Sequence, residues 1–255
     1  MSEVDFDPIA ASLRESLLDF YEERGENVDG PAGQNTLDTN SSVVERRGRP
    51  LLEVIQYRAG VGSLEGLQLL DLGAGFGALS LFFAAHGAKV TAVDPNVERF
   101  IVGRTVAAHH GLDVRFKRGR VQALKLADQR YDLAVQNNSL CYVVARQDRR
   151  RALRETLRVL RPGGLLVARN PNRWHPLDQF TGLPALHLLP PNAASRLAVR
   201  FGHPRSRVRI VSIPRARREL LEAGFVEATQ ERVSRERPEW LELFARYQHL
   251  SGRRP

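Results

Sequence analysis

The sequence predicts an α/β protein. Its centre is a doubly wound, mostly parallel sheet of seven strands, with N-terminal helices before it and an insert after the fifth strand. Three observations predict this. Short apolar runs alternate with helical segments from residue 67 to residue 169, and strands alternating with helices imply parallel pairing. A glycine turn, Gly73-Ala74-Gly75-Phe76-Gly77, stands between the first run and the first of these helices. Asp94 ends the second run 21 residues after Gly73. At that spacing a carboxylate at a strand tip can accept both hydroxyls of a ribose lying over the turn.

The elements follow in order. Ile9, Leu13, Leu17 and Phe20 recur at spacings of four, four and three within residues 8–23; that is an amphipathic helix, and Pro8 suits its first turn. Residues 25–41 are turn formers throughout and predict a loop. Ser42 suits the cap of a second helix running to about Arg58, with a break at Gly48 and Pro50. The core then reads strand 67–72, helix 78–86, strand 89–94, helix 97–110 and strand 114–117. A short helical turn at 121–126 precedes strand 131–136, helix 146–160 and strand 165–169. The insert, about residues 170–210, is too apolar for a solvated loop and too rich in proline for one long helix; residues 192–201 suit a short one. A helix over 214–223 stops at Gly224, and strands follow at 225–233 and 244–251. The expected division is a helical cap over 1–62 and a catalytic-type α/β domain over 63–255.

At 255 residues the chain can bury a large core. No apolar run approaches the roughly 20 residues of a membrane span. The start MSEVDFDP lacks an apolar signal core, and one cysteine, Cys141, excludes an internal disulfide; both suit a cytoplasmic setting. Cysteine and histidine are not spaced for a metal, and none is expected. The net charge is +9, and all but three of the 38 basic residues are arginine. That excess is either solvated surface charge or a match to an anionic partner: RNA, a phosphorylated substrate, or a membrane surface touched peripherally.

Asp71 closes the first strand just before the glycines. Beside a diphosphate its charge would be repulsive, which disfavours a dinucleotide. A ligand with a ribose, an ammonium and a sulfonium would be attracted instead, and S-adenosylmethionine has all three.

With these residues in hand, DLGAGFG, AVDP, the strand YDLAVQNN and VLRPGGLLV together resemble the class I S-adenosylmethionine-dependent methyltransferases, closely over about residues 65–170. The resemblance implies a Rossmann-like methyltransferase fold whose last two strands form an antiparallel hairpin. It also implies that Asp71, Gly73, Ala74, Gly75, Gly77, Asp94 and Pro95 line the cofactor site, with Arg120, Val121, Gln122, Gln136 and Asn137. Arg120 stands where the family often has an acid for the adenine amino group. Arginine has no acceptor, so it can stack on adenine while the Gln122 carbonyl accepts. N-terminal helices in the family lie over the cofactor, which singles out Tyr21 and Arg46; packing on the sheet edge is the alternative. For the methyl acceptor, His175, His187, Asp178 and Tyr142 are candidate bases, and Arg173 can orient an anionic group. The insert looks like a segment of methyltransferases from glycan and lipid-linked saccharide clusters and implies an apolar lid over residues 170–210. The expected acceptor is a small molecule, methylated on oxygen: a sugar, a lipid-linked glycan or a secondary metabolite. A tRNA methyltransferase and a cofactor-binding protein without catalysis are the rivals. RNA-binding modules and aromatic-basic interleaving are absent from the sequence.

Overall fold

The computed structural model describes residues 4–203, 207–231 and 247–255. Seven strands form one sheet in the order β3-β2-β1-β4-β5-β7-β6, as the alternation of elements predicts. Two compact units share the fourth strand: residues 1–120 with 131–134, and residues 121–130 with 135–255.

In the first unit, α1 (Asp7–Glu22) buries the predicted stripe of Ile9, Leu13, Leu17 and Phe20 and packs on α5 (Phe100–His109). The expected loop over 25–41 is corrected: residues Pro31–Asn40 form helix α2. Its composition does not favour a helix; two tertiary anchors hold it. Leu37 is fully buried, and Arg14 of α1 donates to Asp38 at 2.8 Å and to Gln34 at 2.7 Å. The expected break at Gly48 and Pro50 is also corrected, because α3 (Val44–Ala59) runs through both. A Cβ at Gly48 would come 2.5 Å from the Phe82 ring, so the glycine permits close packing on α4 (Ala78–Ala85). Buried Val44, Leu51, Leu52, Val54 and Ile55 hold the helix together across the proline.

Strand β1 (Gln68–Leu72) pairs in parallel with β2 (Lys89–Asp94), and β2 with β3 (Val114–Arg118). Asp71 and Asp94 therefore end adjacent strands, and the glycine turn leaves from between them. The start of β4 (Tyr131–Asn137) completes this unit.

In the second unit, the helical turn expected at 121–126 is absent. Residues of α6 (Arg146–Val159) take those backbone groups instead: Glu155 accepts the Leu124 N–H at 2.9 Å, and Arg158 donates to the carbonyls of Leu124 and Leu126, both at 2.9 Å. Strand β5 runs over Leu160–Pro171, longer than the expected 165–169. Its Pro-Gly-Gly start lies against the chain's end, where the Gly163 N–H meets the Arg254 carbonyl at 3.0 Å. Within the insert, α7 (Pro191–Arg200) matches the expected short helix. Helix α8 (Ile213–Ala223) ends at Gly224 with φ +106°. Strands β6 (Val226–Glu231) and β7 (Tyr247–Arg253) pair antiparallel, as does β7 with β5. The expected strand portions at 232–233 and 244–246 lie outside the described residues.

Candidate active site

The first unit assembles the glycine turn and both carboxylates. Gly73 and Ala74 donate their N–H groups to the Val93 carbonyl at 2.8 and 3.1 Å, which anchors the turn on β2. Gly75, at φ +58°, has nothing within 4 Å of where a Cβ would stand, so its backbone borders open space. Gly77, at φ +85°, is constrained differently: a Cβ would meet the Phe116 ring at 2.7 Å. The turn thus needs glycine at Gly77 for packing and at Gly75 for a left-handed backbone beside room for a ligand.

Asp94 faces the same turn. Its Oδ2 accepts the Gly75 N–H at 3.0 Å and its Oδ1 the Asn96 N–H at 2.8 Å. A carboxylate offers about four acceptor positions, so both oxygens retain capacity for a diol. Pro95 is exposed beside it, and Arg120 is exposed just past β3. Asp71 is buried and accepts a hydrogen bond from the Ser80 hydroxyl at 2.6 Å. Burial raises its carboxyl to about 6 from 3.8; the Ser80 bond opposes the rise, Asp94 adds to it and Arg47 opposes it. Arg47, not Arg46, is the arginine whose charge reaches Asp71. Arg46 is exposed. Tyr21 packs edge-on against Phe76 of the turn, with centroids 6.1 Å apart, and Phe20 does so at 5.3 Å. Helix α1 therefore supports the glycine turn directly.

In the second unit, Val121 is buried and Gln122 half-buried. Gln136 is fully buried, and neither atom of its side-chain amide has a partner among the described residues. Two of the next three residues continue the pattern: the buried Asn138 Oδ1 and Ser139 Oγ also lack partners among the described residues. An unmet buried polar group costs about 1–3 kcal/mol, and three of the four residues 136–139 carry one among the described residues. Asn137 differs, since its Oδ1 accepts from Arg169 at 3.0 Å. Sequence reasoning reached Gln136 and Asn137 but gave no role to Asn138 or Ser139. The available signal was the asparagine pair at 137–138, because asparagine tolerates a positive φ, and Asn138 adopts one, +55°.

The insert candidates separate into two kinds. His187 is buried; its Nε2 lies 3.0 Å from the Arg173 carbonyl and its Nδ1 4.0 Å from Asp178 Oδ2. Asp178 is buried as well, and its Oδ1 accepts from Phe180 N–H, Thr181 N–H and the Thr181 hydroxyl. Arg173 donates to the carbonyls of His187 and Leu188, both at 3.1 Å, and of Ile210 at 3.3 Å. These three tie the insert together. His175 is half-buried, and only its Nδ1 is engaged, with the Leu177 backbone at 2.8 Å. Tyr142 is 52 % exposed and packs edge-on against Phe180 at 5.9 Å.

Within the first unit, the open backbone at Gly75 and the Asp94 carboxylate beside it have room and acceptor capacity for a ribose diol. Residues 69–164 match the family model described as a methyltransferase domain. The strand order above is that of the Rossmann-like methyltransferase fold seen in solved structures of S-adenosylmethionine-dependent methyltransferases. Among its relatives, a ubiquinone biosynthesis O-methyltransferase of Methylobacterium sp. (strain 4-46) is 34% identical over 110 residues, 43% of each chain. A thiol S-methyltransferase of Mus musculus is 38% identical over 126 residues, 48% of this chain and 49% of that one. The chain thus spans about half the length of the curated relatives it matches. Among solved structures, the Burkholderia thailandensis 1,6-didemethyltoxoflavin-N1-methyltransferase, with S-adenosylhomocysteine bound, superposes with a TM-score of 0.58 at 20% identity, covering 100% of this chain and 92% of that one.

Proposed function

We propose that this protein binds S-adenosylmethionine and transfers its methyl group to oxygen of a small-molecule acceptor, of the sugar, lipid-linked glycan or secondary-metabolite kind. The observation that carries the reading is the Asp94 carboxylate set on the Gly75 N–H, at the mouth of a glycine turn with open space beside it. Support also comes from the relatives, whose printed names cover oxygen, sulfur and nitrogen acceptors. They favour methyl transfer as a class and leave the acceptor atom to the insert.

When bound, the cofactor supplies a methyl group on a cationic sulfur, open to in-line attack by a lone pair. Holding the two reactants in line accounts for much of such a reaction's rate. In this proposal Asp94 grips the ribose diol, Gly73 to Gly77 run beneath the cofactor, and Asp71 favours its cationic end. An oxygen acceptor must also lose a proton. His175 takes it: its Nδ1 is fixed by the Leu177 backbone, and Nε2 has no partner among the described residues. Tyr142 borders the acceptor, while Arg173, Asp178 and His187 hold the insert in shape. A cytoplasmic location is part of the proposal; among the described residues no helix is long and apolar enough to cross a membrane.

The test incubates the protein and cell extract with methyl-labelled S-adenosylmethionine and follows label into lipid, glycan, small-molecule and RNA fractions. Label in the small-molecule or lipid-glycan fraction is expected, and His175→Ala should reduce it while cofactor affinity holds. Label confined to RNA, or none in any fraction, would overturn the reading.

A further inference from the structure

A cavity of about 350 Å³ lies inside the second unit, in the size range of sites for small organic ligands. Its wall is mostly apolar, with Val144, Leu188, Val208 and Ile210 among the lining residues, yet two arginines, Arg173 and Arg209, also line it. Both guanidinium groups are held by backbone carbonyls. Arg173 meets those of His187, Leu188 and Ile210, and Arg209 donates to Val144 at 3.1 Å. The backbone N–H of Arg209 is fixed as well, 2.7 Å from the Cys141 carbonyl. Among the described residues neither guanidinium is paired with a carboxylate.

Carbonyl dipoles orient a guanidinium but do not cancel its charge. Two uncompensated cations on an apolar wall repel one another and lower the cost of admitting an anion. Pro191, the first residue of α7, also lines the cavity, so the N-terminus of that ten-residue helix borders the same space. Arginine is suited to this task, because its planar fork matches an oxyanion in two-point contact.

We propose that this cavity binds a compact apolar molecule carrying one oxyanion, a phosphate or a carboxylate, with Arg209 as the recognition residue. Arg173 positions the wall by bracing three carbonyls, and Leu188, Val208 and Ile210 receive the apolar body. The proposal does not rest on methyl transfer.

The test titrates the full-length protein by calorimetry with 1-naphthyl phosphate, 1-naphthoate, inorganic phosphate and uncharged 1-naphthol. Saturable one-to-one binding is expected for at least one naphthyl anion, at least tenfold tighter than for 1-naphthol or inorganic phosphate. Arg209→Gln keeps an amide for the Val144 carbonyl but removes the charge, and should weaken that binding at least tenfold. Leu188→Trp, which fills the cavity and keeps both arginines, should do the same if the ligand sits inside. Unchanged S-adenosylhomocysteine affinity in both variants shows that they fold. Equal binding of 1-naphthol, unchanged binding in Arg209→Gln, or displacement of the probe by S-adenosylhomocysteine would overturn the proposal.

Discussion

Asp71 carries the clearest pH signature of any single residue in the first unit. Its carboxyl is raised to about 6, so the folded, ligand-free protein holds the proton more tightly than the unfolded chain does. Stability from this group is fully present below about pH 4 and is lost as pH rises through about 6, a change of about 3 kcal/mol. Asp71→Asn should remove that component. Urea unfolding of wild type and variant across this range should show the variant gaining stability relative to wild type as pH rises; parallel curves would mean that Asp71 ionises without penalty. A cationic ligand beside Asp71 favours the ionised form, so S-adenosylmethionine affinity should rise with pH through the same window. His249 behaves in the opposite sense. Burial first, then the nearby Arg169, lowers it to about 3. A depressed histidine loses stability as pH falls below its unfolded value, so the two groups oppose each other in acid. Neither shift was legible in the sequence, because each depends on burial that tertiary packing creates.

At the scale of elements, α6 and α8 are joined by a buried ion pair. Arg149 donates to Glu219 Oε2 through Nε at 3.0 Å and Nη2 at 2.8 Å, and to the Leu140 carbonyl at 2.6 Å. Both side chains are 3% exposed. Removing one partner leaves a buried charge, so Glu219→Ala should cost about 3–5 kcal/mol, whereas Arg149→Met with Glu219→Leu should recover most of it. Chemical denaturation checks both; a single variant within about 1 kcal/mol of wild type would show the pair to be solvated. This bridge was invisible in a helix reading RQDRRRALRETLRV, where six arginines look alike. The strands and the glycine turn were legible because their signals are local: apolar runs, glycines and the carboxylate closing each run. Helix α2 was not, because its stability comes from Leu37 and from Arg14 reaching across from α1. The missing helical turn at 121–126 has the same kind of cause, since Arg158 and Glu155 sit more than 28 residues away in sequence and take its backbone groups.

For the whole molecule, the excess of arginine sets the choice between a small acceptor and RNA. The net charge of +9 attracts any polyanion at low salt. On the small-molecule reading this attraction is unspecific, so bulk tRNA should bind weakly and dissociate by about 150 mM salt. Filter binding across a salt series checks it; micromolar affinity that persists at that salt would favour RNA. Part of the arginine excess has an architectural role, since Arg158, Arg169, Arg173 and Arg254 all brace backbone or side-chain acceptors. In the proposed function, the glycine turn and Asp94 hold the cofactor's ribose. Calorimetry with S-adenosylhomocysteine tests this most directly. Wild type should bind one equivalent, and Asp94→Ala should bind about 1.5–3 kcal/mol more weakly, roughly ten- to a hundredfold. Equal affinity in the two proteins, or no binding to wild type, would contradict it.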